Sequence, residues 1–115
     1  MWASGNVIYN CLSKDGYLAS DFHMHLSCAN LIDTCYVDND YWNASYRNAG
    51  TIVHGHTTSQ TVFWNTYGTG SKSRLIDSRQ WGYGYVIGTS GPVSNVSLGN
   101  SHGSEPEDFL EGEGL

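Results

Sequence analysis

Basic residues are scarce in this chain of 115 residues. Five lysines and arginines stand against eleven acidic residues, giving a net charge of −6 at pH 7. Proteins that bind nucleic acid depend on many basic side chains to neutralise phosphates. The composition therefore predicts no nucleic-acid partner.

Long apolar runs are also missing. No stretch approaches the roughly 20 residues that a membrane-spanning helix needs, so the sequence predicts no membrane partner. The first residues, Met1 to Gly5, lack the basic and apolar regions of a secretory signal peptide.

Cysteine is rare, and its spacing excludes two common uses. Cys11, Cys28 and Cys35 form neither a CxxC motif nor a zinc-finger pattern. Since their number is odd, at least one has no partner within the chain. We expect reduced, buried thiols that pack as small apolar side chains.

What the sequence does contain is the vocabulary of strands and tight turns. Glycine is abundant (14 residues), proline is rare (2), and aromatic residues make up 13%. No segment has the apolar period of a helix, so we predict an all-β fold in a single domain over residues 1–98. Five of the eleven acidic residues fall within residues 105–113, and residues 99–115 are predicted to form an acidic, glycine-rich loop or tail.

Repeats organise the predicted domain. Residues 22–36 match residues 53–67 at an offset of 31, and these match residues 76–90 at an offset of 23. A partial copy at 7–11 precedes the matching residues 31–35 by 24. Such offsets are typical of solenoids, in which each turn adds one strand to each of several parallel sheets. We therefore predict a parallel β-helix of about three to four turns.

The longer offset predicts an inserted loop, which we place at Asp38 to Asn48 because this segment is polar and rich in turn residues. Each fifteen-residue copy should otherwise hold two strands. The predicted first strands are residues 22–26, 53–57 and 76–80. The predicted second strands are residues 30–34, 61–65 and 85–89.

Alternation along the strands assigns columns of side chains to the inside or the outside. Two apolar columns should point inward: Phe22, Val53 and Ile76, and Ile8, Ile32, Phe63 and Val86. A column of small polar residues suits an inner turn: Asn10, Thr34, Asn65 and Gly88. In the next column, two cysteines align with two threonines: Cys11, Cys35, Thr66 and Thr89. Two outward columns should form one polar patch: His23, His54 and Asp77, and His25, His56 and Arg79.

These repeats and columns, with phrases such as TVFWNT and GYVIGTSG, resemble the pectin-lyase-like superfamily of right-handed parallel β-helix proteins across roughly residues 5–92. Many members are polysaccharide lyases or glycoside hydrolases, usually secreted, and others are tailspikes, adhesins and epimerases. The resemblance implies a polysaccharide partner and an extracellular or periplasmic location. Because such helices usually have more turns than this chain, we expect it to be a piece of a longer protein.

The outward patch could catalyse β-elimination on an acidic polysaccharide. Arg79 is suited to bind the uronate carboxylate, and His54 or His56 could remove the proton. Asp77 would orient His54, with Tyr83 or Tyr85 as weaker candidates for the acid. The superfamily's familiar lyases use calcium held by acidic residues, and the columns contain no clear cluster of that kind. A hydrolase is the next choice.

Two other functions fit the same residues. A non-catalytic solenoid could bind carbohydrate or serve a structural role. In either carbohydrate function, the substrate would contact the following side chains: His23, His25, Trp64, Trp81 and Tyr83. Alternatively, two HxH pairs could bind a divalent metal, since imidazole suits zinc: His23, His25, His54 and His56. The sequence predicts no definite cofactor. A divalent metal bound by this chain would be calcium or zinc.

Overall fold

The computed structural model describes residues 3–47, 54–98 and 108–110, and in these residues all regular elements are β-strands. The strands are two or three residues long, because residues with positive φ bend the chain at many of their ends. They are β1 (Val7–Tyr9), β2 (Leu12–Lys14), β3 (Ser20–Asp21), β4 (Ser27–Cys28), β5 (Leu31–Asp33), β6 (Tyr36–Asp38), β7 (Trp42–Asn43), β8 (Thr58–Ser59), β9 (Val62–Trp64), β10 (Tyr67–Thr69), β11 (Ile76–Ser78), β12 (Tyr85–Ile87), β13 (Val96–Leu98) and β14 (Asp108–Leu110).

The strands form four sheets, and every pairing between these strands is parallel. The strand orders are β1-β5-β9-β12-β14, β10-β6-β2, β13-β11-β7-β3 and β4-β8. The predicted all-β class is therefore confirmed. β14 lies within the segment that was predicted to be an acidic loop or tail.

The register confirms the strongest of the predicted repeat matches. Ile32 pairs with Phe63, which in turn pairs with Val86, and Tyr36 pairs with Tyr67. Strand pairs hold the same register because a shift by one residue would turn the apolar column outward.

The core contains most of the residues that were predicted to point inward, but one predicted column is wrong, because Ile76 pairs with Trp42, which pairs with Ser20 rather than with Phe22. Ile32, Phe63 and Val86 are buried, and Ile76 is fully buried beside them. The ring of Phe22 meets that of Phe63 edge-on at 6.3 Å, so this side chain also points inward. Val53 lies outside the described residues. Ile8 shares the column but is 38% exposed, because β1 is an edge strand of its sheet.

The small polar column forms a corner between neighbouring sheets. Asn10, Thr34, Asn65 and Gly88 have φ values of 52°, 49°, 50° and 71°. Asparagine and glycine tolerate this left-handed conformation better than other residues do. The sequence pattern at this corner therefore reflects a backbone requirement.

The predicted position of the inserted loop is wrong. Asp38 belongs to β6, and Trp42–Asn43 is strand β7. Trp42 is held in place because its backbone N–H donates to the carbonyl of Leu75 at 2.9 Å and its ring lies 6.2 Å from that of Phe63. The additional residues follow β7 and precede β8, and residues 48–53 among them lie outside the described residues.

Two of the predicted first strands, at 22–26 and 53–57, are also wrong where the structure describes them. His25 and Leu26 have φ values of 66° and 42°, which a strand does not allow, and residues 54–57 form no strand. As a consequence, three column assignments fail, those of Ile76, Asp77 and Arg79. Asp77 pairs with Asn43 rather than lying over His54.

All three cysteines are free thiols, and their burial differs from one to the next. Cys35 is buried and Cys28 is half-buried, whereas Cys11 is exposed. The prediction of a buried thiol is therefore wrong for Cys11, which follows edge strand β1 and has no strand covering it among the described residues.

Candidate functional site

Asp77 lies at the centre of a cluster of charges on the four-stranded sheet. Its side chain is 2% exposed, although it belongs to a column that points away from the core. The Arg79 Nε donates to Asp77 Oδ1 at 2.6 Å and its Nη2 donates to Oδ2 at 2.6 Å. The Arg79 fork that was predicted to hold a substrate carboxylate therefore binds the protein's own carboxylate.

Arg74 completes this cluster and was not identified from the sequence. Its Nη1 donates to Asp77 Oδ2 at 2.8 Å, and its guanidinium lies 5.9 Å from the ring centre of Tyr41. The side chains of Arg74 and Arg79 are each 41% exposed. Two guanidiniums around one carboxylate leave the cluster, which we call the arginine cluster, with a net charge of +1. Aligning the segment 42–45 with 76–79 would have shown Asp77 in an outward column on this sheet.

The predicted neighbourhood of His23 and His54 is present. Their ring centres lie 4.9 Å apart in an edge-on arrangement. His23 Nδ1 is 3.6 Å from Asp21 Oδ2, and that same carboxylate forms an ion pair with Arg47. The carboxylate beside these imidazoles is thus Asp21 instead of Asp77. Asp21 and Arg47 were also missed by sequence reasoning, since they are 26 residues apart and no repeat match relates them.

His56 lies in a group of aromatic rings. Its ring centre is 4.8 Å from that of Tyr46 and 6.2 Å from that of Trp81. Arg79, which was predicted to lie over His56, bonds to Asp77 instead, and Trp81 takes the place beside the imidazole. This change follows from the register of β11 with β7.

Trp81 and Tyr83 both present ring surface to solvent, and the Trp81 ring does so beside His56. They are 46% and 44% exposed. Backbone hydrogen bonds hold both in place: the N–H of Trp81 donates to the carbonyl of Thr58 in β8 at 3.2 Å, and the carbonyl of Tyr83 accepts from the N–H of Gln60, just after β8, at 2.6 Å. We call the contacting rings of Tyr46, His56 and Trp81, together with that of Tyr83 two residues after Trp81, the aromatic surface.

Two of the other predicted site residues, Trp64 and Tyr85, lie in a different sheet from β8. Trp64 is in the five-stranded sheet, paired with Asp33 on one side and Ile87 on the other. Tyr85 opens strand β12 of that sheet. His25 is half-buried between β3 and β4, and its backbone lies next to that of His56, since the N–H of the following residue, Leu26, donates to the His56 carbonyl at 3.1 Å. The structure thus joins Trp81 to His56 and Asp77 to Arg79.

The metal alternative finds no geometric support. No group of three or more His, Cys, Asp or Glu side chains that could hold a metal ion occurs within residues 3–47 and 54–98. In the part of the chain that the structure describes, there is also no helix long and apolar enough to cross a membrane.

The arrangement can offer aromatic stacking surface and positive charge to a ligand. Half-exposed rings provide the stacking, and the arginine cluster provides the charge, two residues before Trp81. An imidazole, that of His56, belongs to the aromatic surface itself. Comparison of the chain with protein-family models, with curated proteins and with solved structures found no match.

Proposed function

We propose that the chain coils as a right-handed parallel β-helix that binds an acidic polysaccharide without cleaving it. The coil is supported by the strand orders, because successive strands of each sheet come from successive repeats. Connections between parallel strands of one sheet are right-handed in about 98% of proteins. The handedness predicted from the sequence is therefore the expected one.

The aromatic surface is the observation that carries the proposed binding function. Trp81 and Tyr83 keep nearly half of their area in water, although large rings gain free energy when they are covered. The apolar face of a pyranose ring can cover an indole or phenol ring while its hydroxyls remain in water. A polysaccharide is thus a suitable partner for rings whose backbone is hydrogen-bonded to the neighbouring repeat.

The arginine cluster favours a polysaccharide that carries carboxylate or sulfate groups. Arg74 and Arg79 both donate to Asp77, and their side chains are still 41% exposed. Asp77 fixes both guanidiniums, which reduces the entropy that they would lose on binding an anion. The net positive charge also attracts a polyanion to a surface of an otherwise acidic chain.

β-Elimination is the second candidate, favoured by the presence of the His56 imidazole in the aromatic surface. In that reaction Arg79 would neutralise the uronate and His56 would remove the neighbouring proton. We rank elimination second because Asp77 already takes two donors of Arg79 and lies in the column of Asn43, away from its predicted partner His54.

The test is binding of the purified chain to pectins, alginates and glycosaminoglycans, with neutral dextran for comparison. We expect the acidic polymers to bind and Trp81→Ala to raise Kd by about tenfold, since a stacked ring contributes on the order of 1 kcal/mol beyond its buried area. The matched control is Tyr36→Ala, which removes another half-exposed ring from a different sheet and should leave Kd unchanged.

Ultraviolet absorbance of the unsaturated uronate end, followed in the same samples, separates the two candidates. Product formation that Arg79→Ala abolishes would establish elimination and contradict the binding-only proposal. Equal losses of affinity in Trp81→Ala and Tyr36→Ala, or no binding to any acidic polymer, would contradict the proposed site altogether.

A further inference from the structure

Cys11 and Cys35 are neighbours in adjacent repeats. They immediately precede Leu12 and Tyr36, which are paired residues of β2 and β6. The N–H of Tyr36 donates to the carbonyl of Cys11 at 2.8 Å, which holds the two cysteines in register. Neighbouring strands lie about 4.8 Å apart, and a disulfide needs Cα atoms about 4.4 to 6.8 Å apart. The backbone therefore holds this pair at bonding range.

The two thiols also have the same orientation. Cys11 Sγ donates to the carbonyl of Tyr9 at 3.3 Å, and Cys35 Sγ donates to that of Asp33 at 3.4 Å. Each thus turns back toward the residue two positions earlier. Cys35 Sγ additionally lies 3.7 Å from the carbonyl of Ile8, which belongs to the repeat of Cys11. A rotation about χ1 is the main movement that bond formation requires.

The two thiols differ in access to a reagent. Cys11 is exposed, whereas Cys35 is 1% exposed. Burial raises the pKa of the Cys35 thiol above its usual value. Because thiolates are the reacting species, Cys11 meets an oxidant first and Cys35 reacts second.

We propose that Cys11 and Cys35 form an oxidation site that closes to an intramolecular disulfide with a low-molecular-weight disulfide such as glutathione disulfide. The Cys11 thiolate attacks one sulfur of the reagent, forming a mixed disulfide and releasing one glutathione thiolate. The Cys35 thiolate then attacks the Cys11 sulfur and displaces the second glutathione. Two protein thiols are oxidised, one reagent disulfide is reduced to two thiols, and two protons pass to the released thiolates.

The bond would fasten two largely exposed strands to the core. All three residues of β1 are exposed, and two of the three in β2 are exposed, whereas β5 and β6 each contain a buried core residue. A cross-link between these repeats closes a loop of about 25 residues and so lowers the conformational entropy of the unfolded chain. We therefore expect Tm to rise by about 10 °C.

The experiment incubates the full chain with glutathione disulfide and maps the products by mass spectrometry of peptides, with Tm measured on the same samples. We expect a Cys11–Cys35 cross-linked peptide and the rise in Tm. Cys35→Thr introduces threonine, which the following repeats have at this position as Thr66 and Thr89. In this variant, we expect a stable glutathione adduct on Cys11. Cys28→Ser should retain the cross-link, because Cys28 lies at a different corner, beside Ser59.

A stable Cys11 adduct in the unsubstituted chain, a bond that includes Cys28, or a disulfide between two chains would overturn the proposal. If Cys35→Thr does not fold, Cys11→Ser serves instead, because it changes an exposed side chain. That variant should lose both the cross-link and the rise in Tm, and retention of either would overturn the proposal equally.

Discussion

At the corner that follows β1, β5, β9 and β12, Thr34 differs in kind from the residues at the same position in the other repeats. Asn10, Asn65 and Gly88 suit their positive φ values, whereas Thr34 is β-branched and has a φ of 49°. A β-branched residue in this conformation is strained by about 1–2 kcal/mol. Its hydroxyl recovers part of that cost by donating to Asp33 Oδ1 at 2.8 Å.

We therefore predict that Thr34→Asn raises the free energy of unfolding by about 0.5–1 kcal/mol, measured by denaturant titration. The reciprocal change, Asn65→Thr, places the strained residue at the same corner of the next repeat and should lower it by about 1 kcal/mol. A loss of stability in Thr34→Asn would mean that the hydroxyl contact outweighs the backbone strain.

Another residue, Asp40, shows how a charge is accommodated inside the chain. Its carboxylate is 3% exposed and accepts hydrogen bonds from the Ser20 hydroxyl at 2.8 Å and the Tyr41 N–H at 2.8 Å, with a further one from Ser13. A buried carboxylate needs such partners, because the loss of water would otherwise destabilise it. Asp40 therefore serves the fold rather than a ligand.

At the scale of elements, β10 depends on having no side chain at its centre. Gly68 pairs with Val37 in an inward column, but the chain beyond β12 crosses directly over it. The N–H of Gly68 donates to Ser90 at 2.9 Å, and its carbonyl accepts from Val93 at 3.1 Å. A Cβ atom at this position would lie 2.0 Å from the Val93 carbonyl oxygen.

We predict that Gly68→Ala lowers the free energy of unfolding by about 3 kcal/mol or more, because the added carbon meets backbone that cannot move without losing these hydrogen bonds. The control, Thr69→Ala, changes the adjacent, half-buried position and should have a much smaller effect in the same denaturant titration. Equal effects of the two substitutions would show that the segment at Val93 shifts freely.

At the scale of the whole molecule, stability should increase from the edge repeat to the central ones. The corner asparagines Asn10 and Asn65 provide a matched pair, since each donates its backbone N–H to the neighbouring repeat, at 3.0 and 2.9 Å. Asn10 follows the exposed strand β1, whereas Asn65 follows β9, which lies between two strands.

We predict that the Asn10 amide exchanges with deuterium at least tenfold faster than the Asn65 amide, because its hydrogen bond opens with the edge strand rather than with the core. Amide exchange followed by NMR measures both. Equal protection would show that β1 unfolds together with the central strands.

The sequence alone determined the all-β class and the register of β1, β5, β9 and β12. Apolar residues with a period of two, and left-handed corners that favour asparagine and glycine, are local requirements that recur at each turn. Ile32, Phe63 and Val86 could therefore be aligned without a structure.

Only the tertiary structure decided where the inserted residues lie and which side chains meet as a result. The repeat offset gives the number of extra residues, but packing fixes their position, since Trp42 is held by Phe63 and the Leu75 carbonyl. That packing places Asp77 opposite Asn43 and brings it to Arg74 instead of His54. The charges of the candidate site are thus set by contacts between residues distant in sequence, which no local pattern specifies.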